Sequence, residues 1–330
     1  YRFASRFTDE TSTQEQDVTA PPVGPAMIKD FPEVENAVRI DRIDATVQYG
    51  DQQFIQDDML VTDPSFFEVF DFKLLRGDKQ TVLAQPYSIV LSQRMAKKYF
   101  GDVDPIGQSM TIFRYDPDGT GAQFKVTGIV EDCPPNSHFN YESLISFKTW
   151  EIVEPEIISG LDGWMQNSMY TYILMQDNAD PSALQTKLEG FAGRYAGKIM
   201  EQYKFKFGYI LQPLGDIHLR SNIRYEISPV SSMSYVLIFG TIAVIVLLLA
   251  SINYVNLSTA YSTERFKEVG IHKVMGAVKR QLVTRYLTES WLLAVISLLV
   301  AFTWIETGRP MFKAITGRTF EGLYTFRSLA

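Results

Sequence analysis

The sequence is poor in the residues on which most metal and redox sites depend. Among 330 residues there is one cysteine, Cys133, and there are three histidines, His138, His218 and His272, whose spacing does not match that of metal ligands. A single cysteine excludes a disulfide within the chain, so an exported part must be held together by packing. We interpret Cys133 as an incidental loop residue.

The motifs of nucleotide hydrolysis and acid–base catalysis are also missing. No Gly-x-x-x-x-Gly-Lys-Ser/Thr phosphate loop occurs, so the chain does not hydrolyse ATP by that route. Carboxylates lie close together at Glu131 and Asp132 and again at Glu154 and Glu156, but such pairs in loops are usually solvated. We therefore expect no catalytic residue, no metal site and no cofactor in this chain.

Charge is absent from one long interval near the carboxyl-terminal third. No charged residue occurs between Glu226 and Glu264, and Tyr235 to Val255 is almost wholly apolar. A helix needs about 20 apolar residues to cross roughly 30 Å of hydrocarbon. The interval predicts a transmembrane helix at about 233–257, whereas a buried core helix is the alternative.

A second uncharged interval is shorter. It covers 290–305, only about 24 Å of helix at 1.5 Å per residue. Trp291 and Trp304 lie near its two ends, where interfacial aromatic side chains are expected. We predict a second transmembrane helix at about 287–306.

The charges that are present divide the chain. Of 38 acidic and 31 basic residues, 5 and 10 follow residue 230, which leaves 33 acidic and 21 basic residues in 1–230. The linker 256–289 contains six Lys or Arg residues, and short basic loops stay in the cytoplasm. This placement makes 1–230 extracytoplasmic and explains the basic linker without a nucleic-acid partner. Because 1–30 lack an apolar signal core, we expect an upstream signal-anchor helix to be missing from the sequence.

The acidic region is predicted to be an α+β domain. Segments with strand-type composition or alternation occur at 37–49, 52–62, 87–92, 123–132, 171–176 and 205–214. Helical patterns interrupt them at 65–72, 92–101 and 180–200, without a regular βαβ repeat. The segment 11–25 is polar and marked by prolines, and a Pro- and Gly-rich break at about 136–163 suggests two lobes.

The basic linker has the pattern of an amphipathic helix. Apolar residues recur at three- and four-residue spacing, at Phe266, Val269, Val274, Val278, Leu282 and Tyr286. The polar flanks are Lys273, Lys279, Arg280 and Arg285. Gly270 and Gly276 weaken a continuous helix by about 1 kcal/mol each, which suggests a bend, a cap or a close backbone approach. Such a helix lies in a partner's groove or, alternatively, only anchors the linker in the lipid headgroups.

Several segments resemble one family. They are "YSIVLSQRMAKKYFGDVDPIGQSM" (87–110), "VTGIVEDCPPNSHFNYESLISF" (126–147), "PLGDIHL" (213–219) and "INYVNLSTAYSTERFKEVGIHKVMGAVKRQLVTRYLTES" (252–290). The chain is similar to MacB/FtsX-type permease subunits of ABC transporters, especially the large permeases of Bacteroidetes-type bacteria. The resemblance begins at Tyr1, just after the family's first transmembrane helix, and corresponds to the first half of a duplicated chain.

The resemblance implies an architecture. Residues 1–230 would be a MacB-like periplasmic core domain and 231–330 an FtsX-like permease region of the bacterial inner membrane. The coupling segment would be about 258–286, and 307–330 would begin an extracytoplasmic loop. The residues expected to couple to an ATPase are Arg265, Lys267, Glu268, Val269, Gly270, Lys273, Val274, Gly276, Ala277 and Val278. His272 stands where relatives usually carry Arg, which puts any phosphate or carboxylate contact of that Arg in doubt.

The resemblance also implies a mechanism. A separate cytoplasmic subunit would bind ATP and Mg²⁺ and move the periplasmic domain by mechanotransmission, for export or extraction of an antimicrobial, a peptide or a lipoprotein. The expected partners are that ATPase, a second permease half or subunit, the lipid bilayer and periplasmic or outer-membrane proteins. Two other classes stay open, a sensor, receptor or scaffold without transport and a membrane-anchored periplasmic enzyme.

Overall fold

The structure, a computed structural model, describes residues 1–8, 12–114, 119–134, 136–158 and 161–316. It divides into two compact units, Tyr1–Ile238 and Phe239–Ala330. All strands in the described residues belong to the first unit, whereas the second unit is helical wherever regular structure is described.

The first unit is built on a mixed sheet, which has eleven strands within the described residues. They are β1 (Arg2–Thr8), β2 (Thr13–Gln16), β3 (Val34–Tyr49), β4 (Gln52–Thr62), β5 (Leu74–Arg76), β6 (Ser88–Ser92), β7 (Ser109–Phe113), β8 (Ala122–Val130), β9 (Ser143–Ser146), β10 (Tyr170–Met175) and β11 (Lys206–Gln212). The order along the main path is β11-β1-β10-β3-β4-β9-β6-β8-β5. Only β4–β9 and β6–β8 are parallel among these pairs, so the predicted α+β class is confirmed.

Short helices connect the strands. They are α1 (Val23–Asp30), α2 (Phe66–Val69), α3 (Gln93–Phe100), α4 (Lys148–Val153), α5 (Pro155–Ile158), α6 (Leu161–Met165), α7 (Pro181–Lys187), α8 (Phe191–Tyr203) and α9 (Leu214–Arg220). Local sequence signals set several ends. The Ser92 hydroxyl caps α3 by accepting from the Met95 amide, and the Asp180 carboxylate caps α7 by accepting from the Ser182 amide.

The longest element of the sheet is the β3–β4 hairpin. Gly50 has φ +59° at its turn, a conformation that glycine adopts without a Cβ clash. The register shifts between Ile43 and Ala45, where Asp58 also has a positive φ, so the hairpin contains a bulge that bends the sheet.

Apolar side chains pack on the sheet in three clusters. One contains Met95 and Tyr99 of α3 with Trp150 of α4, and another contains Met27 of α1 with Phe191 of α8. The third surrounds Phe66, Phe139, Tyr141 and Tyr172. The segment 136–163, where a break between lobes was predicted, contributes β9 to the middle of the same sheet.

The strand predictions were accurate where polarity alternates. The runs at 52–62, 87–92 and 171–176 agree with β4, β6 and β10 to within one residue at each end. Three elements near the amino terminus were not predicted, β1, β2 and α1. The prolines of 11–25 do not exclude a helix, because α1 begins at Val23 and contains Pro25 in its first turn. Backbone N–H groups in the first turn have no partner within the helix, so a proline is tolerated there.

Within the described residues α9 is followed by three further helices, α10 (Met233–Ala260), α11 (Ser262–Val274) and α12 (Lys279–Thr316). By length and composition α10 and α12 can each cross a membrane. The predicted coupling segment 258–286 is not one helix, because α11 ends at Val274 and 279–286 form the start of α12. The loop predicted from residue 307 is helical up to Thr316, and 317–330 lie outside the described residues.

Candidate coupling site

The predicted coupling residues lie in a helical hairpin formed by α11 and the beginning of α12. The α11 helix ends in a Schellman motif, in which the Ala277 amide donates to the His272 carbonyl (2.9 Å) and the Gly276 amide donates to the Lys273 carbonyl (3.0 Å). This motif needs a left-handed residue at the position of Gly276, whose φ is +91°. The glycine that the sequence marked as a bend or a cap therefore forms the turn of the hairpin.

The next helix begins immediately after this turn. Val278 precedes the first residue of α12, and its backbone amide donates to Oε1 of Gln281 (3.3 Å). This contact is the return half of a capping box, in which a Gln at the third helical position satisfies an N–H group of the cap. Only the four residues 275–278 thus separate the end of α11 from the start of α12.

Two charged contacts join the two helices of the hairpin, one near its open end and one nearer the turn. Nη2 of Arg265 lies 3.1 Å from Oε1 of Glu289, and the Arg265 guanidinium lies 5.1 Å from the centre of the Tyr286 ring. Nearer the turn, Nη2 of Arg285 lies 2.9 Å from Oε1 of Glu268. These pairs join residues 17 and 24 positions apart, so the helical period does not reveal them.

His272 takes part in the second contact. Its Nε2 atom lies 2.9 Å from Nη1 of Arg285 and 3.9 Å from Oε1 of Glu268. Because an arginine can only donate, this contact is a hydrogen bond in the tautomer whose Nε2 atom accepts. Within this structure His272 serves the hairpin itself, which gives a local reason for a residue other than Arg at this position.

The tip of the hairpin carries an exposed apolar surface, which we call the apolar tip. It comprises Ile271, Val274, Met275 and Val278, of which Val274 is 90% exposed and Met275 79% exposed. In contrast, Leu282 on the first turn of α12 is buried. Four adjacent large apolar side chains without cover are unusual for a protein surface and typical of a binding surface.

Basic residues flank the apolar tip along the chain. Lys267, Lys273, Lys279 and Arg280 are exposed, and none has an ion-pair partner among the described residues. A groove of about 590 Å³ lies beside them, lined by Val278, Arg280, Gln281, Thr284, Arg285 and Thr288. The surface therefore combines an apolar centre with a positively charged rim.

The structure separates the predicted coupling residues into two groups. Arg265 and Glu268 form the ion pairs of the hairpin, Gly276 and Ala277 form its turn, and Val269 is half-buried. Lys267, Gly270, Lys273, Val274 and Val278 are exposed. The prediction that Val274 and Val278 share one helical face is wrong, because Val274 ends α11 and Val278 precedes α12.

The other titratable groups singled out by the sequence lie in the first unit. In the part of the chain that the structure describes, no three His, Cys, Asp or Glu side chains are grouped as a metal site requires. His138 and His218, although distant in sequence, are close enough for His218 to influence the pKa of His138, which burial lowers to about 4. Burial also raises the pKa of the Cys133 thiol, so this cysteine is not activated as a nucleophile.

An α+β domain followed by long apolar helices and a basic hairpin defines a membrane protein with an extracellular domain. Residues 4–191 match the family described as MacB-like periplasmic core domain, and 240–326 match the one described as FtsX-like permease C-terminal. The first match alone covers more than half of the chain. The chain therefore belongs to the MacB/FtsX-type family of ABC transporter permeases.

Individual relatives agree with this assignment. The chain is 26% identical over 230 residues to the uncharacterized ABC transporter permease YknZ of Bacillus subtilis, a match that covers 69% of this chain and 50% of YknZ. It is 25% identical over 240 residues to the macrolide export ATP-binding/permease protein MacB of Neisseria gonorrhoeae, covering 71% of this chain and 33% of MacB. The chain thus spans half or less of the length of these curated relatives.

A solved structure has a similar fold. A domain of a protein described as a permease from Porphyromonas gingivalis superposes with a TM-score of 0.55 at 19% sequence identity. The superposition covers 64% of this chain and 88% of that domain. At this identity the likeness concerns the fold alone.

Proposed function

We propose that this chain is a permease half that receives work from a separate cytoplasmic ABC ATPase and transmits it to the extracytoplasmic domain. Permeases of this family work with an ABC ATPase. In this proposal 1–230 are periplasmic, 231–330 belong to the inner-membrane part, and the hairpin 262–288 faces the cytoplasm. ATP and Mg²⁺ bind the partner and not this chain.

The observation that carries the proposal is the apolar tip with its rim of cations. Burying four apolar side chains in a groove supplies the affinity, while the surrounding lysines and arginine favour an acidic partner surface. A hairpin that only rested in lipid headgroups would not need a rigid turn. The Schellman motif and the Arg285–Glu268 pair hold the tip in one shape.

The helix α12 offers a path for mechanical transmission. It continues without a break from Lys279 beside the turn into the apolar stretch that ends at Ile305, so a displacement of the tip moves the membrane-spanning part with it. A polar substrate pathway is not supported by α10, which contains no Asp, Glu, Lys or Arg. Its Ser251 hydroxyl donates to the Leu247 carbonyl of the same helix (2.8 Å).

The proposal also names the class of molecule that is transported. We place the handling of an antimicrobial, a peptide or a lipoprotein at the extracytoplasmic domain, with a second permease half or subunit completing the transporter. Periplasmic or outer-membrane proteins are further partners in this scheme. The whole complex is expected in the bacterial inner membrane.

Cross-linking in living cells tests the contact directly. A photoreactive amino acid at Val274, on the apolar tip, is expected to give an adduct with a protein that binds and hydrolyses ATP. The same amino acid at Ser182, an exposed position on α7, serves as the control and should give no such adduct. An ATPase adduct from Ser182, or none from Val274, contradicts the proposed contact.

A further inference from the structure

A cleft in the first unit lies far in sequence from the coupling hairpin and has a different chemistry. It has a volume of about 420 Å³ and is lined by Phe7, Trp164, Met165, Asn167, Ala196, Lys204, Phe205 and Phe207. Small-molecule sites typically have volumes of about 300–1,000 Å³, apolar walls and a few polar groups. The cleft has this composition, with six apolar lining residues, one amide and one cation.

The apolar walls are held in place by stacked rings. Phe7 of β1 stacks on Phe205 at 4.9 Å between ring centres, and Phe7 also pairs with Phe207 across the β1–β11 ladder. Trp164 of α6, another lining residue, stacks on Tyr195 of α8 at 4.3 Å between ring centres. The phenylalanines of the wall are half-buried, so aromatic surface is available to a ligand.

Two polar groups in the cleft lack partners among the described residues. Oδ1 of Asn167 is buried and accepts no hydrogen bond there. Lys204, the residue after α8, has φ +53°, and its backbone N–H donates a hydrogen bond to the Met200 carbonyl. Its side chain forms no ion pair in the described part of the chain. Buried polar groups are usually satisfied, so the Asn167 oxygen marks a place for a hydrogen-bond donor, while the exposed Lys204 side chain supplies a cation at the rim.

We propose that this cleft binds a small amphipathic acid, a molecule with an apolar body, one anionic group and a hydrogen-bond donor. The body lies against Phe7, Phe205 and Trp164, the anion pairs with Lys204, and the donor satisfies Asn167. An extended peptide fits less well, because the edge of β11 is occupied in part. Gln185 bonds there to the Tyr209 carbonyl (3.0 Å) and the Leu211 amide (2.7 Å).

A photoaffinity probe tests this inference in the full chain reconstituted in lipid nanodiscs. N-(4-benzoylbenzoyl)glycine has the three required features, and its neutral glycinamide analogue lacks only the anion. We expect the acid to label peptides containing Trp164–Met165 or Phe205–Phe207, about fivefold more than the amide, as one rim ion pair provides. Equal labelling by the two probes, or labelling outside these peptides, overturns the proposal.

Matched variants separate the site from general surface charge. Lys204→Glu is expected to reduce labelling by the acid about tenfold, because attraction is replaced by repulsion. Lys198→Glu changes an exposed lysine of α8 that does not line the cleft, and should leave labelling unchanged. If both variants reduce labelling equally, the charge of the domain and not the cleft attracts the probe. Neither result depends on an ATPase partner, so the outcome is independent of the proposed function.

Discussion

Arg2 and Glu226 form a buried ion pair although 224 residues separate them in the chain. Nη2 of Arg2 lies 3.0 Å from Oε1 of Glu226, and the same atom lies 2.6 Å from Oε1 of Gln212. The contact fastens the first strand to the segment that leads towards α10. Arg2 is completely buried, so the pair has the low-dielectric setting in which removal of one partner is costly.

Glu226→Ala should therefore destabilise the first unit by about 3–5 kcal/mol, because it leaves the Arg2 charge buried without its main partner. All three core clusters lie within 1–230, so we expect this fragment to fold as a soluble domain. Urea unfolding of the fragment measures the change. Glu15→Ala is the matched control, since it removes the exposed Arg6–Glu15 pair on β1 and β2 and should cost less than about 1 kcal/mol. Equal costs for the two variants would contradict this account.

Asp17, which lies beside Arg2, predicts a dependence of stability on pH. Burial raises the pKa of Asp17 to about 8, against the opposing influence of Arg2 and with a smaller contribution from Glu226. A raised pKa means that the folded state binds more protons than the unfolded state, so stability falls as pH rises towards 8 and is constant above it. Between about pH 4 and 6.5 the lowered pKa of His138 acts in the opposite direction. Above pH 6.5 Asp41, whose pKa burial raises to about 7, still acts in the same direction as Asp17. The effect of Asp17 between pH 6.5 and 8 is therefore measured as a difference from a variant that does not titrate at position 17.

The variant Asp17→Asn checks this sign. It keeps an oxygen that can accept from the Ile227 amide, as Asp17 Oδ2 does at 3.1 Å, but it does not titrate. Urea unfolding measures the free energy of unfolding of both chains. The value for the variant minus that for the parent should increase from pH 6.5 to 8, by at most about 1.4 kcal/mol per pH unit. A difference that is constant across this window refutes the titration of Asp17.

These buried charges show what the sequence could not predict. The sequence pattern predicted β3, β4, β6, β8, β10 and β11, because each of these runs alternates in polarity or has the composition of a strand. An arginine in β1 is typical of a strand that faces solvent. Here, however, the Arg2 charge is paired with Glu226, which lies 224 positions away. Pairing at that separation leaves no periodic signal, and the same holds for the Arg265–Glu289 contact of the hairpin.

The glycines of the coupling site illustrate a similar limit. Sequence reasoning gave Gly270 and Gly276 the same cost to the helix, but the structure assigns them opposite roles. Gly270 lies inside α11 with open space around its Cα, whereas Gly276 adopts φ +91° in the turn. The helical period predicted one helical segment, and the backbone conformation of the turn divides it into two helices.

Two substitutions test this difference. Gly270→Ala should stabilise α11 by about 0.5–1 kcal/mol, because alanine loses less conformational entropy in a helix. Gly276→Ala should destabilise the hairpin by about 1 kcal/mol or more, because a Cβ is strained at that φ. Amide hydrogen exchange of 262–288 in the full chain should become slower for the first variant and faster for the second. Changes in the same direction would argue against the Schellman turn.

Membrane topology can be tested by cysteine labelling in intact spheroplasts. A cysteine in place of Ser182 should react with a membrane-impermeant thiol reagent, whereas one in place of Val278 should react only after lysis. Both side chains are exposed in the structure, so a difference in labelling reports the side of the membrane and not burial. The background is the Cys133→Ala chain, which removes the native thiol. Labelling at Val278 alone reverses the orientation.

The final prediction concerns the apolar tip and its partner. Val278→Asp should weaken association with the ATPase about a hundredfold, because an unpaired charge in an apolar groove loses its hydration, and about 2.7 kcal/mol suffices for that factor. Asp is a favourable residue before the first turn of a helix, so the start of α12 should be kept or improved. Loss of binding then cannot be attributed to unfolding of the hairpin. Co-purification of the ATPase and its membrane-stimulated turnover measure the effect.

Lys279→Ala is the matched control on the neighbouring residue. Lys279 is exposed and has no ion-pair partner among the described residues, so its removal should reduce affinity less than about fivefold. Val278→Ser, which can also cap α12 but adds no charge, should fall between the two, because it removes apolar contact without a desolvation penalty for an ion. If Lys279→Ala abolishes association while Val278→Asp preserves it, the hairpin contacts its partner or the lipid through charge, and the apolar tip is not the coupling surface.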